Sequence, residues 1–182
     1  YCDSSNSTVQ IDGGYICGNS VNEIGGGAIY SEGADVTVSG GYIFSNSART
    51  NAEGGGGAIY AQGGSVVLNG GYLFDNSAKG GYGGAVYMKD GTLTVSDSAV
   101  LAGNRSVKEG GVAGTGTLDA GGGAVALFGS KGVTISGGYI TGNESEKTGG
   151  GLYCRELSAV TMDGGYVTNN KAQNFGCDAH IN

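Results

Sequence analysis

Acidic side chains are the main candidates for catalysis in this chain, whose 182 residues include 16 Asp and Glu but a single histidine. Asp12 and Asp163 occupy equivalent positions in two copies of an internal repeat, and paired carboxylates serve as acid and base in glycan hydrolysis. About four repeats separate them, which is roughly 19 Å at ~4.8 Å per stacked strand, whereas this chemistry needs less than about 10 Å. We therefore expect no catalytic residues.

The remaining titratable groups suggest no other site. His180 stands alone near the last residue and is expected to be exposed, so no Ser-His-Asp arrangement is predicted. No CxxC pair and no calcium-binding repeat occurs, so we expect neither metal nor cofactor. The other acids are expected in turns, mostly as solvated side chains: Glu23, Glu32, Asp35, Glu53, Asp75, Asp90, Asp119, Glu144 and Glu146.

Glycine-rich phrases are the most conspicuous local pattern, since 41 residues are glycine and none is proline. GGGAIY begins at Gly25 and again at Gly55, and each copy leads into a strand and a turn, not into the helix that a phosphate-binding loop requires. A net charge of −7 argues against a nucleic-acid partner. No apolar run is long enough for a membrane span.

The phrases belong to a repeat that closes on an asparagine. Each copy reads as a Gly-Gly-Ala strand, a Val-Thr-Val strand and a Gly-Gly-Tyr-aliphatic strand. We expect the asparagines to form a structural ladder at a turn, where their side chains bind backbone groups and where they tolerate an unusual φ. The asparagines are Asn19, Asn46, Asn76, Asn104, Asn143 and Asn170.

A repeat of this length with short strands and no helical periodicity is typical of a solenoid. The sequence predicts an all-β fold, a right-handed parallel β-helix of about six coils with three parallel sheets, its hand following the crossover preference of parallel strands. We expect a single domain over residues 1–182, with a Gly-rich loop insertion around 108–120.

Alternation within the strands divides the side chains between core and surface. The aliphatic positions should point inward, and the tyrosines beside them should form two exposed columns that offer a binding surface. One column follows the Gly-Gly pairs: Tyr15, Tyr42, Tyr72, Tyr139 and Tyr166. The other ends the Gly-Gly-Ala phrases: Tyr30, Tyr60, Tyr87 and Tyr153.

Four cysteines lie near the two ends of the chain, which suggests disulfides that fasten the terminal coils in an oxidising compartment. Among the three possible connectivities, Cys2 with Cys17 and Cys154 with Cys177 is favoured. Because neither terminal coil has a capping helix, we also expect end-to-end self-association into a fibre or stalk.

The phrases GGAI at Gly26 and Gly56 and GGAV at Gly83 and Gly122, each with its following asparagine, resemble the repeats of polymorphic outer-membrane proteins and related adhesin-like β-helix proteins. That family has Phe three residues before the Asn, where this chain has an aliphatic residue such as Ile43. The resemblance implies a microbial protein at the cell surface or outside the cell, with any membrane anchor on another part of the precursor.

These observations predict an extracellular structural or adhesive module without enzymatic activity. Its partners would be copies of itself and a host or cell-surface glycan or protein. The alternative is a carbohydrate-active β-helix, either a polysaccharide lyase or hydrolase or a glycan-binding module.

Overall fold

A computed structural model describes residues 1–2, 6–50, 54–109, 120–156 and 159–181. Over these ranges the chain consists of strands and turns, with no helix. No membrane-spanning helix is therefore found in the described part of the chain. The predicted Gly-rich insertion around 108–120 falls mostly on positions 110–119, which lie outside the described residues.

The described residues form twenty strands, numbered in chain order. The first ten are β1 (Thr8–Cys17), β2 (Ser20–Val21), β3 (Ile29–Glu32), β4 (Asp35–Phe44), β5 (Ser47–Arg49), β6 (Ile59–Gln62), β7 (Ser65–Leu68), β8 (Tyr72–Phe74), β9 (Ser77–Lys79) and β10 (Val86–Lys89). The others are β11 (Thr92–Val95), β12 (Val100–Ala102), β13 (Arg105–Val107), β14 (Val125–Phe128), β15 (Gly132–Thr141), β16 (Glu144–Ser145), β17 (Leu152–Arg155), β18 (Val160–Thr168), β19 (Lys171–Ala172) and β20 (Ala179–Ile181).

The strands stack in parallel as three sheets, which confirms the predicted parallel β-helix, with about five complete turns. Sheet 1 contains β3, β6, β10, β14, β17 and β20, of which the first five follow the Gly-Gly-Ala phrases or, at β17, the variant Gly-Gly-Gly. Sheet 2 contains β1, β4, β7, β8, β11, β12, β15 and β18. Sheet 3 contains the short strands after the asparagines: β2, β5, β9, β13, β16 and β19. Below, coils one to six are numbered by their asparagines.

The assignment of strands to sheets differs from the sequence prediction. The predicted second and third strands of each repeat both lie in sheet 2, because the Gly-Gly pair bends a continuous strand without leaving the sheet. The second glycine of the pair has positive φ, for example 83° at Gly41, a conformation that side chains with a Cβ rarely adopt. Sheet 3 was missed because its strands have only two or three residues and little alternation.

The aliphatic columns fill the interior as predicted. In the middle coils the inward side chains are fully buried, including Val66, Leu73, Val86 and Leu127. The last coil lacks this cover on its outer side, where Val160 is 38% and Met162 53% exposed. The fold therefore has a continuous core that opens at the sixth coil.

Close packing between coils explains the Gly-Gly-Ala phrase. A Cβ atom added to Gly84 would overlap the carbonyl oxygen of Gly123 and the backbone nitrogen of Arg105. Gly57 would meet Gly84 in the same way one coil earlier. The phrase is thus required by the contact between neighbouring coils.

Candidate functional site

The asparagine ladder is a continuous chain of hydrogen bonds along the corner between sheets 2 and 3. In each of the first five coils, the backbone N–H and Nδ2 of the asparagine both donate to Oδ1 of the next, at 2.9–3.1 Å. From coil two onward, Nδ2 also donates to a carbonyl of the preceding coil, as Asn104 does to Leu73 at 2.9 Å. The side chains of Asn46, Asn76, Asn104 and Asn143 are at most 1% exposed. This geometry supports the predicted structural role.

One part of the ladder prediction is wrong. The asparagine itself does not adopt positive φ; the residue before it does, and its backbone makes the turn. Burial and hydrogen bonds hold the asparagine side chain in place, and the residue before it takes the left-handed backbone conformation of the turn. The left-handed residues are Gly18, Ser45, Asp75, Gly103, Gly142 and Asn169.

The tyrosines of sheet 2 form an exposed outer ladder, in the placement expected for the first tyrosine column. Tyr15, Tyr42 and Tyr72 stack face to face with ring centroids 5.2–5.3 Å apart and planes 10–11° apart. Tyr139 and Tyr166 stack at 5.0 Å. All five side chains are at least 40% exposed. The outer ladder is the largest exposed aromatic feature of the described residues.

The outer ladder has one gap, at coil four. Val100 pairs with Tyr72 on one side and with Tyr139 on the other, so the two rings face each other across one missing ring. The neighbouring column changes at the same coil, where Ala102 follows the stacked pair Phe44 and Phe74. We call this depression, with Val100 and Ala102 as its floor, the coil-four gap.

A one-residue insertion accompanies the gap. Coil four replaces the Gly-Gly pair by Asp97, Ser98 and Ala99, of which Asp97 has a φ of 51°. Asp97 and Ser98 are exposed, and Asp97 Oδ2 accepts a hydrogen bond from Ser96 at 3.0 Å. Asp97 and Ser98 thus form a polar rim just before Val100, the first floor residue of the gap.

The second tyrosine column is not an exposed surface. Tyr60, Tyr87 and Tyr153 are 5%, 3% and 8% exposed, so the prediction of exposure is wrong for these three, while Tyr30 is half-buried. They point away from the main core but form a second apolar cluster with Phe128 and Tyr82. Tyr82 lies in the segment that enters coil four and stacks on Tyr153 at 5.4 Å. The sequence-based prediction treated the outer face of sheet 1 as open to solvent and did not include the packing of Tyr82 and Phe128 against it.

Sheets 2 and 3 differ in the charged side chains that they carry. The strands of sheet 2 contain no Lys, Arg or His. Sheet 3 carries ion pairs, including Arg105 with Glu146 at 2.9 Å and Arg49 with Glu109, whose hydrogen bond lowers the pKa of that carboxyl group. The face of sheet 2 is therefore aromatic, threonine-bearing and free of cationic side chains in its strands, and its charged groups are the exposed carboxylates of Asp12, Asp35 and Asp163.

The carboxylates of the sequence analysis do not converge. The sheet 2 register places Asp12 in the first and Asp163 in the sixth coil, five steps apart or about 24 Å, so the earlier figure of four was too small and the pair is still further from catalytic spacing. Hydrogen bonds from Ser39 and Gln10 lower the pKa of Asp12. Among the described residues, no three His, Cys, Asp or Glu side chains could hold a metal ion. His180 lies in β20, paired with Tyr153 of the preceding coil.

Sequence reasoning missed an open groove of about 280 Å³ on sheet 1. Its aromatic wall is Phe128, with the Arg155 guanidinium 5.8 Å from the ring centroid. Lys89, Asp90 and Glu156 also line it. Asp90 and Glu156 occupy equivalent turns in coils four and six, and each is the left-handed residue of its turn. Their proximity could not be seen when each acid was considered separately.

The four cysteines are all free thiols, so both predicted disulfides are absent. Cys2 pairs with Ser31 in the inward column of sheet 1, whereas Cys17 pairs with Phe44 in the outward column of sheet 2. Disulfides need nearby Cβ atoms that face each other, and these two positions belong to different sheets. Cys154 is buried in the core and Cys177 is exposed in the following coil, in register with Gly150.

No protein-family model matches the chain, and no curated protein or solved structure does either. The assignment to the parallel β-helix class therefore rests on the fold alone.

Proposed function

We propose that this chain is a structural or adhesive module of a microbial extracellular or cell-surface protein, of the kind that polymorphic outer-membrane proteins represent. The observation that carries the proposal is the outer tyrosine ladder, an exposed aromatic strip on a backbone fixed by the buried asparagine ladder. Aromatic side chains with few rotatable bonds lose little entropy on binding and supply large contact areas. A rigid face of this kind suits adhesion to a glycan or a protein.

Retention on surfaces coated with glycans or with proteins tests the adhesive part. The variant Tyr15→Ser with Tyr42→Ser removes two of the five tyrosines of the strip, and we expect it to reduce retention severalfold. The matched control, Lys79→Ser with Lys131→Ser, changes two exposed residues away from the ladder and should leave retention unchanged. Equal retention of both variants would contradict the use of this face.

End-to-end self-association is the structural part of the proposal. A cavity of about 320 Å³ opens at the sixth coil, lined by Ile135, Val160, Met162 and Val167. The first coil of a second copy presents the same column pattern, with Val9, Ile11 and Ile16 in the matching positions. Its β1 can therefore continue sheet 2 beyond β18.

Light scattering and electron microscopy at increasing concentration test this stacking. We expect rods that lengthen with concentration, and we expect Met162→Glu to abolish them because a charge would enter the apolar junction. Thr161→Glu, which changes an outward residue of the same strand, is the control. A wild-type protein that stays monomeric would refute self-stacking.

The groove at Phe128 favours carbohydrate cleavage as the second candidate function. Asp90 and Glu156 are two coil steps apart, about 10 Å, which is close to the separation used by inverting glycosidases. A reducing-sugar assay on acidic and neutral polysaccharides, with Glu156→Gln as the comparison, decides between the two functions. Release of sugar that is lost in Glu156→Gln would establish the enzyme.

A further inference from the structure

We propose that the coil-four gap binds a pyranose ring of a neutral glycan between Tyr72 and Tyr139. This inference rests on the proposed adhesive function, and it names the ligand class and the position. It follows from the dimensions of the gap, from the chemistry of its walls and from the charge around it.

The dimensions fit one ring. Tyr72 and Tyr139 are two strand steps apart, which places their rings about 10 Å from each other. A ring midway between them would lie at about 5 Å from each, which is the spacing of 5.0–5.3 Å that the ladder itself adopts. The floor is low enough for entry, because Val100 and Ala102 are partly exposed.

At the gap, two tyrosine ring faces of the ladder confront each other across one missing ring. Within each stack the faces of neighbouring rings cover one another, and at the two ends of the ladder Tyr15 and Tyr166 each turn a single face outward. Tyr72 and Tyr139 each lack a tyrosine neighbour on the side of Val100. A ligand ring can therefore stack on both of its faces at the gap, whereas each end of the ladder offers one face only.

The walls and the rim match a sugar. The negative faces of two tyrosines suit the positively polarised C–H groups on both faces of a pyranose. The exposed Asp97 carboxylate and Ser98 hydroxyl, near one end of the gap, can accept hydrogen bonds from sugar hydroxyl groups. An aromatic side chain of a protein partner would fill the space but would offer at most one such donor to this rim.

The negative charge around the gap favours neutral glycans over acidic ones. The chain has a net charge of −7, Asp97 stands at the rim, and no Lys, Arg or His lies in the strands of sheet 2. A uronic acid or a sulfated sugar would therefore be repelled, with no cation on these strands to compensate. Neutral hexoses and N-acetylhexosamines carry no such penalty.

Isothermal titration with cello-, manno- and chito-oligosaccharides tests the inference, with oligogalacturonate as the acidic comparison. The main variant, Val100→Tyr, fills the gap with the residue that the other five coils carry in this column. We expect it to lower the affinity for the best neutral oligosaccharide at least about tenfold. Thr37→Tyr, which adds a tyrosine to the same face two coils away, should leave the affinity unchanged.

A second variant keeps the inference testable if Val100→Tyr folds poorly. Tyr139→Leu removes one wall and should also weaken binding about tenfold, whereas Tyr166→Leu removes a ring that does not border the gap and should not. Wild-type protein that binds none of the neutral oligosaccharides would overturn the inference. Unchanged affinity in Val100→Tyr, or stronger binding of N-acetyltyrosinamide or of oligogalacturonate, would also overturn it.

The retention assay separates this inference from the proposed function. Adhesion that persists in Val100→Tyr would leave the adhesive role standing and refute the gap as its site. A wild-type protein that binds neutral oligosaccharides in solution through the gap but is not retained on any coated surface would support the site and contradict the adhesive role.

Discussion

Asp178 accepts hydrogen bonds at 3.1 Å from both the backbone N–H and Nδ2 of Asn170, through the single oxygen Oδ1. In every earlier coil these two donors meet the asparagine of the next coil. Asp178 comes from the entry into β20, so the chain closes its own asparagine ladder with a carboxylate. The corner of the solenoid is therefore satisfied at the sixth coil, although the apolar core beside it stays open.

The central asparagine of the ladder should be essential for stability. Asn104→Ala removes the oxygen that accepts from both Asn76 donors and the Nδ2 group that donates to the Leu73 carbonyl and to Asn143 Oδ1, all in a fully buried site. We expect the free energy of unfolding to fall by roughly 3–5 kcal/mol, measured by denaturant titration. Asn19→Ala, at the exposed first coil, should cost less than about 1 kcal/mol. Equal losses for the two variants would refute a cooperative ladder.

The Gly-Gly-Ala phrase should tolerate no added methyl group at its last glycine. In Gly84→Ala the new Cβ overlaps backbone atoms of Gly123 in the next coil and of Arg105, so we expect a loss of roughly 3 kcal/mol or more in stability. Gly13→Ala is the control, because no atom lies within 4 Å of its added Cβ. Thermal unfolding of both variants checks the difference, and a Gly84→Ala protein as stable as the wild type would contradict the close packing of coils.

Alkaline pH should destabilise the aromatic cluster on the outer face of sheet 1, to which Tyr60 belongs. Burial, with smaller contributions from nearby negative groups, raises the pKa of Tyr60 to about 12. A group whose pKa is higher in the folded state contributes stability below its unfolded value, about 10, and loses it as the pH rises to the folded value. We expect the wild type to lose stability between pH ~10 and ~12 more steeply than Tyr60→Phe, in unfolding curves recorded at each pH. Parallel curves would show that Tyr60 is not buried.

The thiols should differ in reactivity. Burial raises the pKa of Cys154 to about 12, and the thiolate is the reactive form, so iodoacetamide at mildly alkaline pH should leave Cys154 unmodified in the folded protein. Cys17 and Cys177 are exposed and should be alkylated. Peptide mass mapping gives the comparison, with denatured protein as the control for full labelling. A disulfide between Cys154 and Cys177 in the same map would contradict the free thiols.

Repetition made most of the fold predictable. A column such as Ile43, Leu73 and Leu101 identifies an inward position without any knowledge of its partners, because stacked coils place equivalent residues in register. The asparagine ladder was predictable for the same reason. Contacts made by residues that depart from the repeat could not be predicted. Tyr82 covers Tyr153 and Asp178 replaces an asparagine, whereas the equivalent positions of neighbouring coils hold other residues, such as Gly121 for Tyr82 and Gly151 for Asp178.

The candidate site was predictable only in part. The exposed column of tyrosines follows from alternation, but the significance of Val100 depends on the stacking geometry of the rings on both sides. The disulfide prediction failed because position along the chain does not show which sheet or face a cysteine occupies.

Backbone amide NMR of the isotope-labelled chain, titrated with the neutral oligosaccharide that binds best, tests the central claim most directly. The outer face of sheet 2 is predicted to be the binding surface. The largest shift changes should therefore fall on the amides of Tyr72, Asp97, Val100 and Tyr139, with little change in sheets 1 and 3. Changes centred on Phe128 and Arg155, or on the ends of the solenoid, would contradict the account.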